Sequence, residues 1–170
     1  MDAREHVIVC GIDGSPAGQR ALEWALDEAR RRQCRLRAVS VWSWDGLETG
    51  NAMRNPGEAR EHAEQVLDRS LNAATNPLSE TPEIQRVVVE GRPSEQLCTA
   101  ALDAELLVLG SHGHGAIHDA LVGSTSQHVI RHAPCPVVVL PDPRHVDREY
   151  KRAQEHRRRR GAPEGAGPMF

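Results

Sequence analysis

The sequence predicts an open α/β domain on a parallel sheet, and three observations carry that expectation. Five short apolar runs of strand length alternate with four stretches of helical periodicity, the pattern of parallel strands joined by right-handed crossovers with helices on both faces. Proline and N-cap signals stand at helix starts. A glycine-rich loop with the spacing G-x2-G-x9-G-S, at Gly110, Gly113, Gly123 and Ser124, joins the fourth run to the fourth helix.

The elements follow in order. HVIVCGI at 6–12 is a continuous apolar run ending in Asp13-Gly14, and Ser15-Pro16 opens a helix with the stripe Ala21, Leu22, Ala25, Leu26 and Ala29. LRAVSVW at 36–42 is a second strand, with Leu36, Ala38 and Ser40 on one face and Val39 and Val41 on the other. After a polar stretch, Asn55-Pro56 starts a long helix through Ala59, Ala63, Val66, Leu67 and Leu71 to about Thr75. Asn76-Pro77 and Thr81-Pro82 break the chain before the third strand, Ile84 to Val89. A helix through Leu97, Ala100, Ala101 and Leu102 leads to the fourth strand, Leu106 to Leu109. Ser124 with Gln127 resembles a capping box for the fourth helix, and Pro136 introduces VVVL, the fifth strand. Beyond Pro143 the chain is rich in Arg, Glu, Gly and Pro, with Arg157 to Arg160 in a row. Such a composition buries too little apolar area to fold, so residues 144–170 are expected to be a flexible basic tail on a domain spanning 1–143.

A chain of 170 residues fits one such domain. No apolar run approaches the roughly 20 residues of a membrane span, and residues 1–6 lead straight into a strand without an export segment, so a cytoplasmic setting is expected. Cys10, Cys34, Cys98 and Cys135 are scattered without a C-x2-C pair and are expected to be reduced, structural thiols. The formal charge of −3 conceals an asymmetry, because residues 144–170 hold eight basic and four acidic side chains and the rest carries −7. A folded surface of that sign disfavours nucleic acid.

A strand, a glycine loop and a helix start make an anion site, since glycine lets the backbone approach a phosphate or adopt positive φ and the first helical N–H groups point at the ligand. The lysine-based phosphate loop is excluded, because the sole lysine is Lys151 in the C-terminal stretch. The dinucleotide-enzyme pattern fits poorly, because it follows a first strand and this loop follows the fourth.

Three blocks stand in order: VIVCGIDGSP, VEGRP, and LLVLGSHGHG with LVGSTSQHVIRHAPCPVVVLP. Together, over residues 6–141, they resemble the ATP-binding branch of the universal stress protein family. The resemblance implies a Rossmann-like nucleotide-binding fold with strand order 3-2-1-4-5. The order reverses direction between strands 1 and 4, where ligands of open α/β sheets bind. Carried over position by position, Gly110, Gly113, Gly123, Ser124 and Thr125 would cradle phosphates. Asp13 would contact the ribose or a phosphate-bound Mg²⁺, and Val41 would wall the adenine. ATP and Mg²⁺ are the implied cofactors. The implied partner is a second copy paired through Val137, Val138, Val139 and Leu140, which would close an exposed apolar edge. His118 and Asp119 in the nine-residue spacer, and the arginine-rich tail, depart from the family pattern.

Simpler explanations compete at several residues. Asp13 alone could be an Asp-Gly turn residue. Five of the nine histidines lie between His112 and His132. A metal site from His112, His114 and His118, or from His128 and His132 at i, i+4 spacing, is outweighed by surface histidines, because no carboxylate cluster or cysteine completes a shell. Trp24 fits core packing, while Trp42 and Trp44 fit either an adenine wall or a cover for the sheet. The functional expectation is a nucleotide-dependent stress-response regulator. Its competitors are a slow ATP-hydrolysing or nucleotide-transferring enzyme, for which His112, His114 and Arg92 offer groups and Asp119 a carboxylate to orient water, and a dimeric interaction module without nucleotide.

Overall fold

The computed structural model describes residues 6–43, 55–113 and 122–159. Its elements are β1 (Val7–Gly11), α1 (Pro16–Arg32), β2 (Arg35–Trp42), α2 (Pro56–Thr75), β3 (Ile84–Glu90), α3 (Pro93–Ala100), β4 (Leu106–Gly110), α4 (Ser124–His132), β5 (Val137–Leu140) and α5 (Pro143–Arg159). The five strands form one all-parallel sheet in the order β3-β2-β1-β4-β5, as the sequence led us to expect.

The central strands are buried on both faces, which is why they read as unbroken apolar runs. Ile8, Cys10, Leu36, Ala38, Leu106 and Val108 face the α1 and α2 layer, where Leu22, Leu26, Leu67 and Leu71 pack on them. Val7, Val9, Val39, Leu107 and Leu109 face the opposite layer, formed by Leu97 of α3 and Val129 of α4. Trp24 is half-buried against the first of these cores, the packing position expected of it. None of the four cysteines, all among the described residues, forms a disulfide; two are buried and two half-buried. Burial and the nearby Asp13 charge push the Cys10 thiol far above its ordinary range, so it packs as a neutral apolar group.

Local signals fix the helix starts. The Ser15 hydroxyl accepts the Gly18 N–H at 3.0 Å and Pro16 takes the first turn of α1, while the Asn55 side chain accepts the Glu58 N–H at 2.9 Å at the start of α2. The fourth helix differs from the sequence expectation. Its N-cap is Gly123, not Ser124, no side chain caps it, and the Gln127 amide instead donates to the Val122 carbonyl at 2.9 Å.

The largest difference lies after β5. An irregular tail was expected from residue 144, yet Pro143–Arg159 form the helix α5. The Asp142 carboxylate, nearly buried, accepts the Arg144 N–H at 2.8 Å and pairs with its guanidinium at 2.7 Å, and Pro143 occupies the first turn. The reason is propensity: Arg, Lys, Glu, Gln and Ala favour helix even where they offer too little apolar surface to bury. Val146 and Tyr150 accordingly remain exposed on α5.

Candidate functional site

The loops after β1 and β4 meet at the carboxyl ends of the strands. Asp13 begins this meeting. Gly14 follows it with φ of 77°, a left-handed turn that glycine permits, and the Asp13 Oδ1 accepts the Ser15 N–H at 2.9 Å and the Ser15 hydroxyl at 2.6 Å. The other oxygen faces the β4 loop, so close that a Cβ placed on Gly113 would lie 2.8 Å from Asp13 Oδ2. Across the same junction the Ser15 hydroxyl lies 3.1 Å from the His112 carbonyl.

The two ends of the long β4–α4 connection are tied together. Gly123 donates its N–H to the Ser111 carbonyl at 2.7 Å, and Ser111 donates its own to the Leu140 carbonyl at 2.7 Å. Ser126, buried in the first turn of α4, donates its hydroxyl to the Gly110 carbonyl at 2.8 Å. The start of α4 is thereby held beside the end of β4. The N–H groups of Ser124, Thr125 and Ser126 have no intrahelical acceptor, and among the described residues no side chain caps this positive end of the helix. Ser124 is exposed and Thr125 half-buried.

The expected site residues divide in three ways. Asp13 and Gly113 are brought to one junction beside the Ser15–His112 contact, and Gly123, with Ser124 next in the chain, is tied to it through the Ser111 carbonyl. Thr125 follows in the first turn of α4. Val41, half-buried near the carboxyl end of β2 and registered against Val89, stands on the face covered by α3 and α4. Gly110 has a different primary reason to be glycine. A Cβ there would fall 2.6 Å from the Ala17 carbonyl carbon and the Gly18 nitrogen, so this position lets β4 and α1 touch.

Two expectations about the glycines are corrected. Positive φ was expected among the loop glycines, yet among the described residues the glycines with positive φ are Gly14 and Gly91, while Gly123 is extended at φ −72° and ψ 166°. Gly123 also spends its own N–H on Ser111, so it closes the loop rather than offering that donor to a phosphate. Ser15, Gly18, Ser111 and Ser126 carry the junction, and the sequence reading gave them no role in it beyond the helix cap at Ser15. Their long-range partners leave no mark in local spacing.

His114, His118, Asp119 and Trp44 lie outside the described residues. Among the described residues no group of three or more His, Cys, Asp and Glu is arranged to hold a metal ion. His128 and His132 stack with ring centroids 4.2 Å apart, and His132 Nδ1 donates to the His128 carbonyl at 2.9 Å. Arg92 is exposed beside Glu95 at the start of α3. Lys151 lies exposed on α5. A shallow cleft between His6, Gln33, Arg35 and Glu83 lies at the opposite, amino end of the sheet and brings together none of the expected site residues.

Fold and site together define an open, doubly covered α/β protein in which the loops after β1 and β4 meet where the strand order reverses. The chain belongs to the universal stress protein family, whose sequence profile matches residues 5–141. It is 35% identical over 142 residues to universal stress protein Rv2005c of Mycobacterium tuberculosis, covering 81% of this chain and 46% of that protein. To universal stress protein Rv2623 of the same organism it is 36% identical over 138 residues, with 78% and 44% covered. The chain thus spans about half the length of the curated relatives it matches. Among solved structures, universal stress protein UspA from Lactobacillus plantarum superposes with a TM-score of 0.57 at 27% identity, covering 82% of this chain and 99% of that one. A universal stress protein solved in complex with cAMP shares the fold at a TM-score of 0.62 and 21% identity, covering 82% and 99%. Among the described residues no helix is long and apolar enough to cross a membrane.

Proposed function

We propose that this chain binds ATP with Mg²⁺ in the crevice between the β1 and β4 loops and serves as a cytoplasmic, nucleotide-dependent regulatory protein of the stress response. The observation that carries the reading is the approach of the Asp13 carboxylate to Gly113, where an added Cβ would lie 2.8 Å from Oδ2, which brings an oxygen suited to a metal or ribose to the loop that leads to the start of α4, a helix no described side chain caps. Asp13 Oδ2 suits a hard cation or a sugar hydroxyl. The N–H groups and hydroxyls of Ser124 and Thr125 suit phosphate oxygens, and Val41 suits the apolar edge of a base. Bound Mg²⁺ would neutralise phosphate charge that no crevice lysine is present to meet.

Binding is favoured over turnover, because the described crevice holds a carboxylate already engaged by Ser15 and no lysine. The reading includes a homodimer paired through β5. The Pro136 and Leu140 carbonyls accept from Leu107 and Ser111 of the β4 segment, so by strand alternation the N–H and C=O groups of Val137 and Val139 face the open edge.

Two measurements test the nucleotide. Denaturing the purified protein and identifying released nucleotide by mass spectrometry should recover an adenosine polyphosphate. Titrating ATP with Mg²⁺ should raise the melting temperature progressively, following RT ln(1 + [L]/Kd), with AMP much weaker because most of the contacts address phosphates. Equal shifts from AMP and ATP, or none from either, would exclude the reading.

A further inference from the structure

The Ser15 hydroxyl sits at a branch point of the crevice. It is 3% exposed, accepts the Gly18 N–H at 3.0 Å, and has one proton with two acceptors in reach: Asp13 Oδ1 at 2.6 Å and the His112 carbonyl at 3.1 Å. Its own N–H holds the same Asp13 oxygen at 2.9 Å. One oxygen of an otherwise exposed carboxylate is thereby fixed, and the second is directed at Gly113.

From this we infer that Ser15 is a positioning residue for the nucleotide site, holding the Asp13 carboxylate against Gly113 and linking it to the His112 main chain. The inference rests on the nucleotide reading of the crevice and adds a residue that acts through Asp13. Pre-setting one carboxylate oxygen spares the ligand the cost of ordering it. When a cation or ribose hydroxyl engages Asp13, the Ser15 proton can turn to the His112 carbonyl, so the loop holding Gly113 responds to occupancy at Asp13. Gly18 belongs to the same device, since a Cβ there would collide with Asp13 Oδ1 and approach the Ser15 Oγ to 3.1 Å.

Ser15 also caps α1, so the test must separate capping from positioning. Glycine is nearly as good an N-cap as serine but has no hydroxyl, and threonine keeps both functions. Calorimetric titration with ATP and Mg²⁺ would compare wild type, Ser15→Thr, Ser15→Gly, Asp13→Ala and the Ser15→Gly/Asp13→Ala double variant, with melting curves taken without ligand. Ser15→Thr should bind like wild type. Ser15→Gly should bind about tenfold more weakly, the scale of losing one hydrogen bond to a charged group, with little change in melting temperature. In the Asp13→Ala background the same change should cost less than about threefold, because the group it positions is gone. Unchanged affinity in Ser15→Gly, or the same tenfold loss with and without Asp13, would overturn the inference while leaving nucleotide binding intact. A wild-type chain that takes up no nucleotide removes the nucleotide reading first, and the inference with it.

Discussion

Gly110 at the end of β4 touches the backbone of Gly18 in the first turn of α1, so closely that a Cβ on Gly110 would stand 2.6 Å from the Gly18 nitrogen. This approach seats α1 against β4, and with it the loop carrying Asp13 beside the loop carrying Gly113. Gly110 therefore serves the site through the fold.

Gly110→Ala should destabilise the protein by about 1–3 kcal/mol, because a backbone must move where no side chain can yield. Gly123→Ala should change stability by less than about 0.5 kcal/mol, since its Cβ would meet the Ser111 oxygen at 3.4 Å and φ is already ordinary for alanine. Urea denaturation of both variants checks the contrast, and equal losses would mean that Gly110 does not hold this interface.

Gly123→Val should remove ATP binding while leaving a folded protein. The cause is obstruction, not strain: the branched side chain would crowd the start of α4, where the N–H groups of Ser124 and Thr125 have no intrahelical acceptor. Asp13→Ala should weaken binding more mildly. Calorimetry alongside circular dichroism decides it, and wild-type ATP affinity in the valine variant would show that the ligand does not use this helix start.

The strands and most helix starts were legible because their causes are local. A strand buried on both faces must be an unbroken apolar run, as Val7–Cys10 and Leu106–Leu109 are, and Ser15-Pro16 and Asn55-Pro56 mark caps within one turn. What stayed hidden depends on distant partners. Gly110 reads as a ligand glycine until α1 is seen against it, and Ser126 gains its role only from the Gly110 carbonyl. The α5 segment misled for a different reason, because a chain too polar to build a core can still be a good helix former.

The Arg37–Asp103 pair should give the fold an acid-sensitive component. Arg37, mostly buried in β2, donates to both Asp103 oxygens at 2.7 and 3.1 Å and to the Ala100 carbonyl at 2.8 Å. The hydrogen bond from Arg37 holds the Asp103 carboxyl below its ordinary value of 3.8. A pKa lowered by folding means the unfolded chain binds the proton more readily, so the stabilisation is complete at neutral pH and fades as pH falls below about 4. Asp103 is 45% exposed, so solvent screening limits the effect to at most about 1 kcal/mol. Denaturation midpoints from pH 7 to pH 3 should fall less steeply in Asp103→Asn than in wild type, and parallel profiles would remove the pair from the acid response.

Val139→Pro should convert the proposed dimer to a monomer with the fold retained. Proline removes an N–H that faces the open edge of the sheet and leaves the bonds between the β4 and β5 segments in place, whereas Val138→Pro should damage the sheet itself. Sedimentation equilibrium reads the outcome. A Val139→Pro protein that still sediments as a dimer would place the interface away from β5.

Hydrolysis of ATP should stay below about 1 per second, the low end of dedicated enzymes. Phosphoryl transfer needs a positioned nucleophile and a cation against the developing charge. The sole lysine stands exposed on α5, and the Asp13 oxygen that Ser15 holds is already spent on two hydrogen bonds, so neither supplies those roles. Asp119 and His114, in the spacer between Gly113 and Gly123, are the side chains by which catalysis could still arise. A steady-state phosphate-release assay on the untagged protein tests this, with Asp119→Asn and His114→Ala beside it. Turnover of several per second that collapses in either variant would make this protein an enzyme, whereas a rate that is low in all three is what a nucleotide-gated regulator requires, because its bound state must outlast the interaction it controls.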